Sequence, residues 1–440
     1  MAKFIIMVML MIFSMAKLTF AASMNEAEVR LVCALSSMAS YNDDNGFLVR
    51  EILKSYKWNI EVINDETTKA NTKALIVTKR LEDGSLMKVL SICGTDDIKD
   101  AEVDFRLKQV PADINSESKI NIEAEDYKTL DEDADKILVH QGFKDYADVI
   151  LSNNFGTNLV NEMNANPNER LYITGHSLGG AVAIVMAAKL SNLNIANDRV
   201  EVITFGAPAA GNKGFANEYN NKIHLTRITV SGDPIKKSLQ MLGYVHFGEV
   251  VKYKPNFSKV EHFPHKMAVY LDCALRDFYD YKLSNNQLYT HENNDKLIYV
   301  APMQIMKDSF TEEDFKYVKA IISDQMKLQL TSAVFDEAEF REVEEVDDLA
   351  DFDNSITEIL PRAKAANCQQ ILVQYLQAKK IKTDKFGDYR VSLEEIIYDL
   401  KGSPISMQTA SITTKELTLL EAAIFVQEKL IDNIKSLSEQ

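Results

Sequence analysis

The sequence predicts an α/β protein whose central sheet is mostly parallel. Short apolar runs rich in β-branched residues alternate with helical patterns between about residues 146 and 279. Crossover helices that cover both faces of a parallel sheet produce this alternation. A second observation is the segment "YITGHSLGGAVA", in which a strand turns through glycines directly into a helix. The pattern changes after about residue 305, so a second region is expected there.

The N-terminal third contributes a helix and a hairpin. Helical spacing of apolar residues runs through "MNEAEVRLVCALSSMASY" (24–41). The runs "KALIVTKRL" and "LMKVLSIC" are strand-like, and the Asp83-Gly84 pair between them favours a tight turn. The following segment, from Asp96 to Asp135, is polar and acidic, which predicts a long loop.

Four strands and four helices are predicted in the alternating part. The strands are "RLYIT", "RVEVITFG", "LTRITV" and "EVVKY", and the helices are "YADVILSNNFGTNLVNEM", "GGAVAIVMAAKLS", "KGFANEYNN" and "KMAVYLDCALRDFY". Their order assigns this part of the chain to one doubly covered sheet.

Strand patterns almost vanish in the C-terminal region. The segments "FTEEDFKYVKAIISDQMKLQL" and "TKELTLLEAAIFVQEKLIDNIKSL" have strong helical spacing, whereas "REVEEVDDLADFD" and "KGSPISMQTAS" resemble linkers. We therefore expect a mainly helical region over 305–440. Neither its role nor a protein partner for its helices follows from the sequence.

Composition excludes some classes of function. The formal net charge of the 440-residue chain is −16, and an acidic chain repels phosphate backbones, which argues against nucleic-acid binding. Hydrophobic residues make up 46% of the sequence, so the acidity does not indicate disorder.

The first 22 residues resemble a secretory signal peptide. Lys3 precedes an apolar run, and small residues follow at Ala21 and Ala22. We expect export, to the outside or to a periplasm, with an uncleaved anchor as the alternative. The first domain then covers 23–304. An exported chain can form disulfides, but four cysteines allow three pairings and their spacing does not indicate zinc.

Ser177 is the candidate nucleophile. A Gly-x-Ser-x-Gly turn between a strand and a helix is typical of α/β-hydrolases, because Gly175 and Gly179 let the two elements approach closely. The N–H of Leu178 then points at a developing oxyanion. The alternative is a serine that only caps the helix.

A serine nucleophile needs a base and an acid. Asp233 follows the strand in "RITVSGDPI", where the acid of this fold is placed, and a plain Asp-Pro turn is the less favoured alternative. His262 and His265 both lie between the last strand and the helix after it, and either can also be a loop histidine. Thr95, in "VLSICGTDD", is the candidate second oxyanion donor or part of a plain turn.

The motifs together resemble the class 3 (fungal-type) lipase family. The matching segments are, in order, "CGTDDIKDAEVDF", "VHQGFKDY", "YITGHSLGGAVA", "TFGAPAAGNKGFANEYN", "RITVSGDPI", "GYVHFGEVVKY" and "PHKMAVYL". The resemblance implies a triad of Ser177, Asp233 and His265, with Thr95 and Leu178 as oxyanion donors. It implies structural roles for His140 and His246.

Two features depart from the family pattern. Cys93 stands where the family has arginine before Gly94, and the insert from Pro111 to Ile137 is long and polar. Val103, Phe105 and Leu107 alternate with polar residues, which suggests a strand edge instead of an amphipathic lid. We therefore expect little interfacial activation and a preference for soluble short-chain esters.

The resemblance implies a carboxylic-ester hydrolase, a lipase or esterase that acts through an acyl-enzyme, and the signal-peptide pattern implies that it is secreted. An ester or lipid is the expected substrate, with transient contact to a lipid surface, and no cofactor or metal is expected. Two alternatives are an acyltransferase with the same triad and a non-catalytic binding protein on a hydrolase scaffold.

Overall fold

The computed structural model describes twelve stretches of the chain. These are residues 24–65, 72–94, 109–112, 136–152, 154–193, 195, 197–255, 262–289, 297–344, 350–381, 389–414 and 416–438. The expected signal peptide and the Val103–Leu107 strand edge lie outside these residues. So does nearly all of the acidic insert.

The chain divides into two compact units, Met1–Tyr253 and Lys254–Gln440. This division falls before the boundary expected at 304, because the helix "KMAVYLDCALRDFY" groups with the C-terminal unit. The domain bounds 23–304 and 305–440 remain predictions.

The first unit contains a seven-stranded sheet in the order β1-β2-β3-β6-β7-β9-β11. Its strands are β1 (Asn59–Asp65), β2 (Thr72–Arg80), β3 (Leu86–Ile92), β6 (Glu169–His176), β7 (Val200–Phe205), β9 (His224–Val230) and β11 (Glu249–Tyr253). The β1–β2 and β2–β3 pairs are antiparallel, and every later pair is parallel. The predicted, mostly parallel central sheet is therefore confirmed. The edge strand β1 was not predicted.

Helices cover both faces of this sheet. They are α1 (Glu26–Ala39), α2 (Asp44–Ser55), α3 (Gln141–Ile150), α4 (Phe155–Ala165), α5 (Leu178–Ser191) and α6 (Lys213–Tyr219). Ile173 of β6 joins the apolar core formed with α3 and α5, whereas the next residue, Thr174, contacts Ser37 of α1 at 3.1 Å. Neighbouring strand residues point to opposite faces, so α1 lies on the face away from α5.

Two details of the first unit differ from the sequence prediction. The segment predicted as one helix over 146–163 is broken into α3 and α4, because Asn154 takes a left-handed conformation (φ 62°) that a helix interior excludes. A short strand, β4 (Gln109–Pro111), lies within the predicted long loop. It belongs to a small antiparallel sheet, β10-β8-β5-β4, with β5 (Leu138–His140), β8 (Gly211–Asn212) and β10 (Tyr244–Val245).

The second unit contains its own seven-stranded sheet. The strands are β12 (Ile298–Val300), β13 (Met303–Met306), β14 (Ala333–Phe335), β15 (Phe340–Val343), β16 (Gln370–Lys380), β17 (Tyr389–Asp399) and β18 (Pro404–Thr414). The helices are α7 (Met267–Ser284), α8 (Glu312–Gln329), α9 (Ala350–Ala365) and α10 (Leu419–Ser438). The β12–β16 pair is parallel, whereas β16, β17 and β18 form an antiparallel meander.

The C-terminal helices are thus confirmed, but the region is not mainly helical. The expected linker "KGSPISMQTAS" forms most of β18. Asp399 and Gly402 (φ 86°) make the turn that returns this strand onto β17. The acidic segment "REVEEVDDLADFD" supplies part of β15 and the start of α9, and its residues 345–349 lie outside the described part.

Buried polar groups occupy the core of the second unit. Arg276 of α7 is bonded to Asp272 at 2.6 Å and to Asp314 of α8 at 2.7 Å. In the sheet, Gln374 of β16 donates to the buried Glu395 of β17. Burial raises the pKa of Glu395 to about 7, and the Gln374 hydrogen bond opposes that rise.

All four cysteines are buried thiols, with no disulfide among the described residues. No helix in the described ranges is both long and apolar enough to cross a membrane.

Candidate active site

Ser177 forms a sharp bend between β6 and α5. β6 ends at His176 and α5 begins at Leu178, which leaves a single residue for the turn. Ser177 takes φ 56° and ψ −126°, a backbone conformation that residues other than glycine rarely adopt. Its N–H donates to the Phe205 carbonyl of the neighbouring strand at 2.9 Å. The backbone is thereby fixed in the strained conformation.

The glycines on either side are required by close backbone contacts. A Cβ added to Gly175 would lie 2.5 Å from the Gly179 carbonyl carbon, and one added to Gly179 would lie 2.3 Å from the Ile92 carbonyl oxygen. Real Cβ atoms do not approach backbone atoms so closely. Both positions therefore require glycine, because β6 packs closely on α5 at Gly175 and α5 packs closely on β3 at Gly179.

The sheet register brings Cys93 and Gly94, the first two residues of the predicted oxyanion segment, beside Ser177. β3 and β6 are parallel, with Ile92 opposite Gly175, so Cys93 and Gly94 leave the sheet next to the bend. Leu178 is the first residue of α5, and an N–H in the first helical turn has no acceptor within its own helix. Thr95 lies outside the described residues.

Asp233 lies at the same edge of the sheet. β9 ends at Val230, and Gly232 (φ 87°) turns the chain so that Asp233 is 2% exposed. Its Oδ1 accepts a hydrogen bond from the Ile235 N–H at 2.8 Å. The carboxyl ends of parallel strands meet at one edge, so this turn lies at the edge that carries Ser177.

Both candidate histidines lie in the turn before α7, in the second unit. His262 is 7% exposed and His265 is fully buried. Burial lowers the pKa of His262 to about 4, and the nearby Lys266 ammonium contributes to the lowering. The His265 ring packs edge-to-face on Phe263, with 6.5 Å between centroids.

The two histidines predicted to be structural lie in the first unit. His140 is buried and stacks on Phe143 with 4.1 Å between ring centroids. Burial lowers the pKa of His140 to about 4. His246 lies half-buried between β10 and β11.

Sequence reasoning missed Tyr41, which contacts the bend directly. Its hydroxyl lies 2.7 Å from His176 Nδ1. Tyr41 follows α1 and is 135 positions away from His176 along the chain. No local sequence pattern predicts a contact between residues so far apart along the chain.

A cavity of about 710 Å³ in the first unit lies at the other edge of the sheet. Arg170, Glu201 and His224 line it, and they stand near the starts of β6, β7 and β9. Ser177 follows the end of β6, so this cavity is separate from the bend. Across the described residues, no group of three or more His, Cys, Asp or Glu side chains is arranged to hold a metal ion.

Comparison with known proteins identifies part of the first unit. Residues 89–241 match the model of the family described as Lipase (class 3), so the resemblance expected from the motifs is confirmed over this segment.

The secreted mono- and diacylglycerol lipase 1 of Fusarium solani is 34% identical over 110 residues, which cover 24% of this chain and 32% of that protein. The secreted mono- and diacylglycerol lipase A of Penicillium cyclopium is 34% identical over 82 residues, 18% of this chain and 26% of its own length. The chain thus spans about a third or less of these curated relatives.

Among solved structures, the native Rhizomucor miehei lipase propeptide complex aligns with a TM-score of 0.39 at 17% identity, over 57% of this chain and 77% of its own. Lipase II from Rhizopus niveus aligns with a TM-score of 0.38 at 19% identity, over 56% and 84%.

Proposed function

We propose that this chain, whose residues 89–241 carry a class 3 lipase sequence, is an exported hydrolase of carboxylic esters. Ser177 is the nucleophile, His265 the base and Asp233 the acid that orients the base. The N–H groups of Leu178 and Thr95 stabilise the oxyanion.

The reaction follows the acyl-enzyme route. Ser177 Oγ attacks the ester carbonyl carbon while His265 takes the hydroxyl proton, and the negative charge moves to the carbonyl oxygen. When the tetrahedral intermediate collapses, the alcohol leaves with the proton from His265, and the acyl group stays on Ser177. Water, deprotonated by His265, then attacks the acyl carbon and releases the acid and the free serine.

The backbone of Ser177 carries the proposal. A serine that only caps a helix has an extended backbone, and its hydroxyl accepts a hydrogen bond from the second or third helical N–H. Ser177 has a positive φ instead, and its side chain makes no such capping bond. The strained turn between Gly175 and Gly179 is the geometry expected of a nucleophile raised above the end of a sheet.

The low pKa of His262 argues against that residue as the general base. A base acts best when its pKa lies near the working pH. The pKa of His262 is lowered to about 4, so it holds a transferred proton poorly at neutral pH. The spacing of His265, Met267 and Tyr270 also matches the His-x-Met-x-x-Tyr pattern of the family.

Export and substrate class rest on the relatives and on the sequence. Two relatives are described as secreted mono- and diacylglycerol lipases, and the first 22 residues have the order of a signal peptide. The acidic insert favours small soluble esters over anionic lipid surfaces, so we assign short-chain esters as the preferred substrates.

The test is labelling of the full-length protein with a fluorophosphonate, beside hydrolysis of a panel of short esters, triacylglycerols and phospholipids. The proposal expects labelling and ester hydrolysis by the wild type, and loss of both in Ser177→Ala. A wild type that neither labels nor hydrolyses any ester would support the binding-protein alternative. Product analysis with added acceptor alcohols separates hydrolysis from acyl transfer, since a transferase gives the new ester as its main product.

A further inference from the structure

Three segments of the first unit meet at the hydroxyl of Tyr41. The segments are the turn between α1 and α2, the end of β3 and the end of β6. Tyr41 Oη lies 2.7 Å from Nδ1 of His176, the residue directly before Ser177. The same oxygen would lie 2.5 Å from a Cβ placed on Gly94. One hydroxyl therefore touches the residue before the nucleophile and the residue before Thr95.

The backbone that carries Tyr41 is itself fixed. Arg50 of α2 donates from Nε to the Ala39 carbonyl at 2.7 Å and from Nη2 to the Tyr41 carbonyl at 3.0 Å. Its guanidinium also lies over the Phe47 ring, 5.1 Å from the centroid. Arg50 therefore fixes the backbone position from which the Tyr41 side chain reaches the bend.

The oxyanion segment is held from the opposite side as well. Tyr146 of α3 accepts from the Lys73 N–H at 3.0 Å, and its hydroxyl proton is shared between the Lys73 carbonyl at 3.1 Å and the Cys93 carbonyl at 3.3 Å. Gly94 is confined between the Tyr41 hydroxyl and the His176 carbonyl, because an added Cβ would lie 2.7 Å from that carbonyl oxygen. The spacing between the end of β3 and the serine bend is thereby set by side chains outside both strands.

We propose that Tyr41 is a positioning residue that sets the distance between Gly94, which precedes Thr95, and the Ser177 bend. This inference rests on the proposed function, in which Leu178 and Thr95 donate to one oxyanion from these two segments. Tyr41 acts through His176 and Gly94, and no contact with the substrate is assigned to it.

Loss of the Tyr41 hydroxyl is expected to weaken binding of the transition state and not binding of the substrate. Oxyanion donors stabilise charge only when both lie at hydrogen-bond distance from the same oxygen, and loss of one donor typically lowers kcat by about 100- to 1000-fold. Removal of the Tyr41 hydroxyl leaves the proposed donors present but takes away the contact that holds Gly94 against the bend from which Leu178 follows. We therefore expect a decrease in kcat of roughly 10- to 100-fold, with KM unchanged because ground-state binding does not use the oxyanion hole.

The test is Tyr41→Phe in the full chain, with Tyr219→Phe as the matched control. The Tyr219 hydroxyl is also in a buried setting and accepts from Asn192 Nδ2 at 3.2 Å. Asn192 caps the far end of α5, about 20 Å along the helix from Ser177. Both variants remove one bonded hydroxyl from the same unit, so a general effect on stability appears in both. Only Tyr41→Phe is expected to lower kcat.

A second measurement reports on the oxyanion pocket directly. An alkyl boronic acid forms a tetrahedral adduct with an activated serine, and its inhibition constant should rise by the same factor by which kcat falls. The coupling is checked in the His176→Ala background, where Tyr41→Phe should cost less than it does in the wild type.

The outcomes separate this inference from the proposed function. If the wild type labels with a fluorophosphonate but Tyr41→Phe keeps kcat and boronate inhibition within twofold, the positioning role is wrong and the proposed hydrolase stands. If the wild type fails to label, the proposed function fails first. An equal loss of kcat in Tyr41→Phe and Tyr219→Phe would also overturn the inference, because it would trace the effect to stability.

Discussion

At the scale of single residues, the site is defined by backbone conformation before any side-chain contact. Ser177 is held at a positive φ by the Phe205 carbonyl and by glycines that no larger residue can replace. Strain of this kind costs on the order of 1–3 kcal/mol. Favourable packing in the rest of the first unit must offset this free energy of strain. Strain of this kind clusters at functional sites, which supports a functional role for Ser177.

Two substitutions at Ser177 separate strain from chemistry. Ser177→Ala keeps the strain, so its thermal unfolding should match the wild type while ester hydrolysis falls by about three orders of magnitude or more. Ser177→Gly should also be inactive but should melt a few degrees higher, because glycine adopts positive φ freely. Calorimetry and an ester assay on the same samples test both points. A melting point of Ser177→Gly below that of Ser177→Ala would argue against stored strain.

The choice between two histidines is also a residue-scale prediction. We expect His265→Ala to abolish nearly all activity and His262→Ala to keep most of it, because a buried imidazole with a pKa near 4 is a weak base at neutral pH. Initial rates on a soluble ester, with circular dichroism as the control for folding, decide the matter. The reverse pattern would reassign the base to His262.

At the scale of elements, sequence patterns predicted the strands and helices best where these are completely buried. The β6–α5 segment is apolar on all sides and contains the glycine turn, so its strand and helix are found nearly at the expected bounds. β18 was missed, because an exposed edge strand of small polar residues has the composition of a linker. Pairing with β17 makes it a strand, and no local pattern contains that information. The contact of Tyr41 with His176 was out of reach for the same reason.

The buried pair Gln374–Glu395 predicts a pH dependence of stability. The pKa of Glu395 is raised from 4.5 to about 7 by burial. The folded state therefore holds the proton more tightly than the unfolded chain between these values. Stability contributed by this group falls as pH rises from about 4.5 to 7, by roughly 3 kcal/mol in total, and then levels off.

Glu395→Gln should remove this dependence. We expect the variant to melt higher than the wild type at pH 8 and close to it near pH 5. Glu394→Gln is the matched control, since its side chain points to the other face of β17 and is half-buried. Parallel curves for wild type and Glu395→Gln from pH 5 to 8 would show that Glu395 is not the group responsible.

At the scale of the whole molecule, charge limits which substrates can approach. The chain carries a formal net charge of −16, and residues 113–135 alone contain nine acidic side chains against two lysines. A lipid surface with anionic headgroups repels such a segment. Small esters that diffuse as single molecules do not meet this barrier.

We therefore expect a smooth saturation curve for an ester followed across its solubility limit. A lid that opens on lipid requires an apolar face, and the acidic insert provides little of one. Rates measured with and without 0.5 M salt control for charge repulsion, because the Debye length falls to about 4 Å at that ionic strength and repulsion beyond this distance is screened. A steep rise in rate once ester aggregates form, at either salt concentration, would show a working lid.

The order of the strands in the first sheet also has a consequence for synthesis of the chain. The meander β1–β2–β3 is local, but the strand that pairs with the free edge of β3 is β6, which begins only at Glu169. At about 5–20 residues per second, β6 leaves the ribosome several seconds after β3. During that interval six consecutive residues that the finished protein buries, Met87–Ile92, present an open strand edge. A nascent chain of this protein is thus most exposed to holding chaperones, and to mispairing with other chains, after the β2–β3 hairpin is complete and before β6 and Ser177 have been translated.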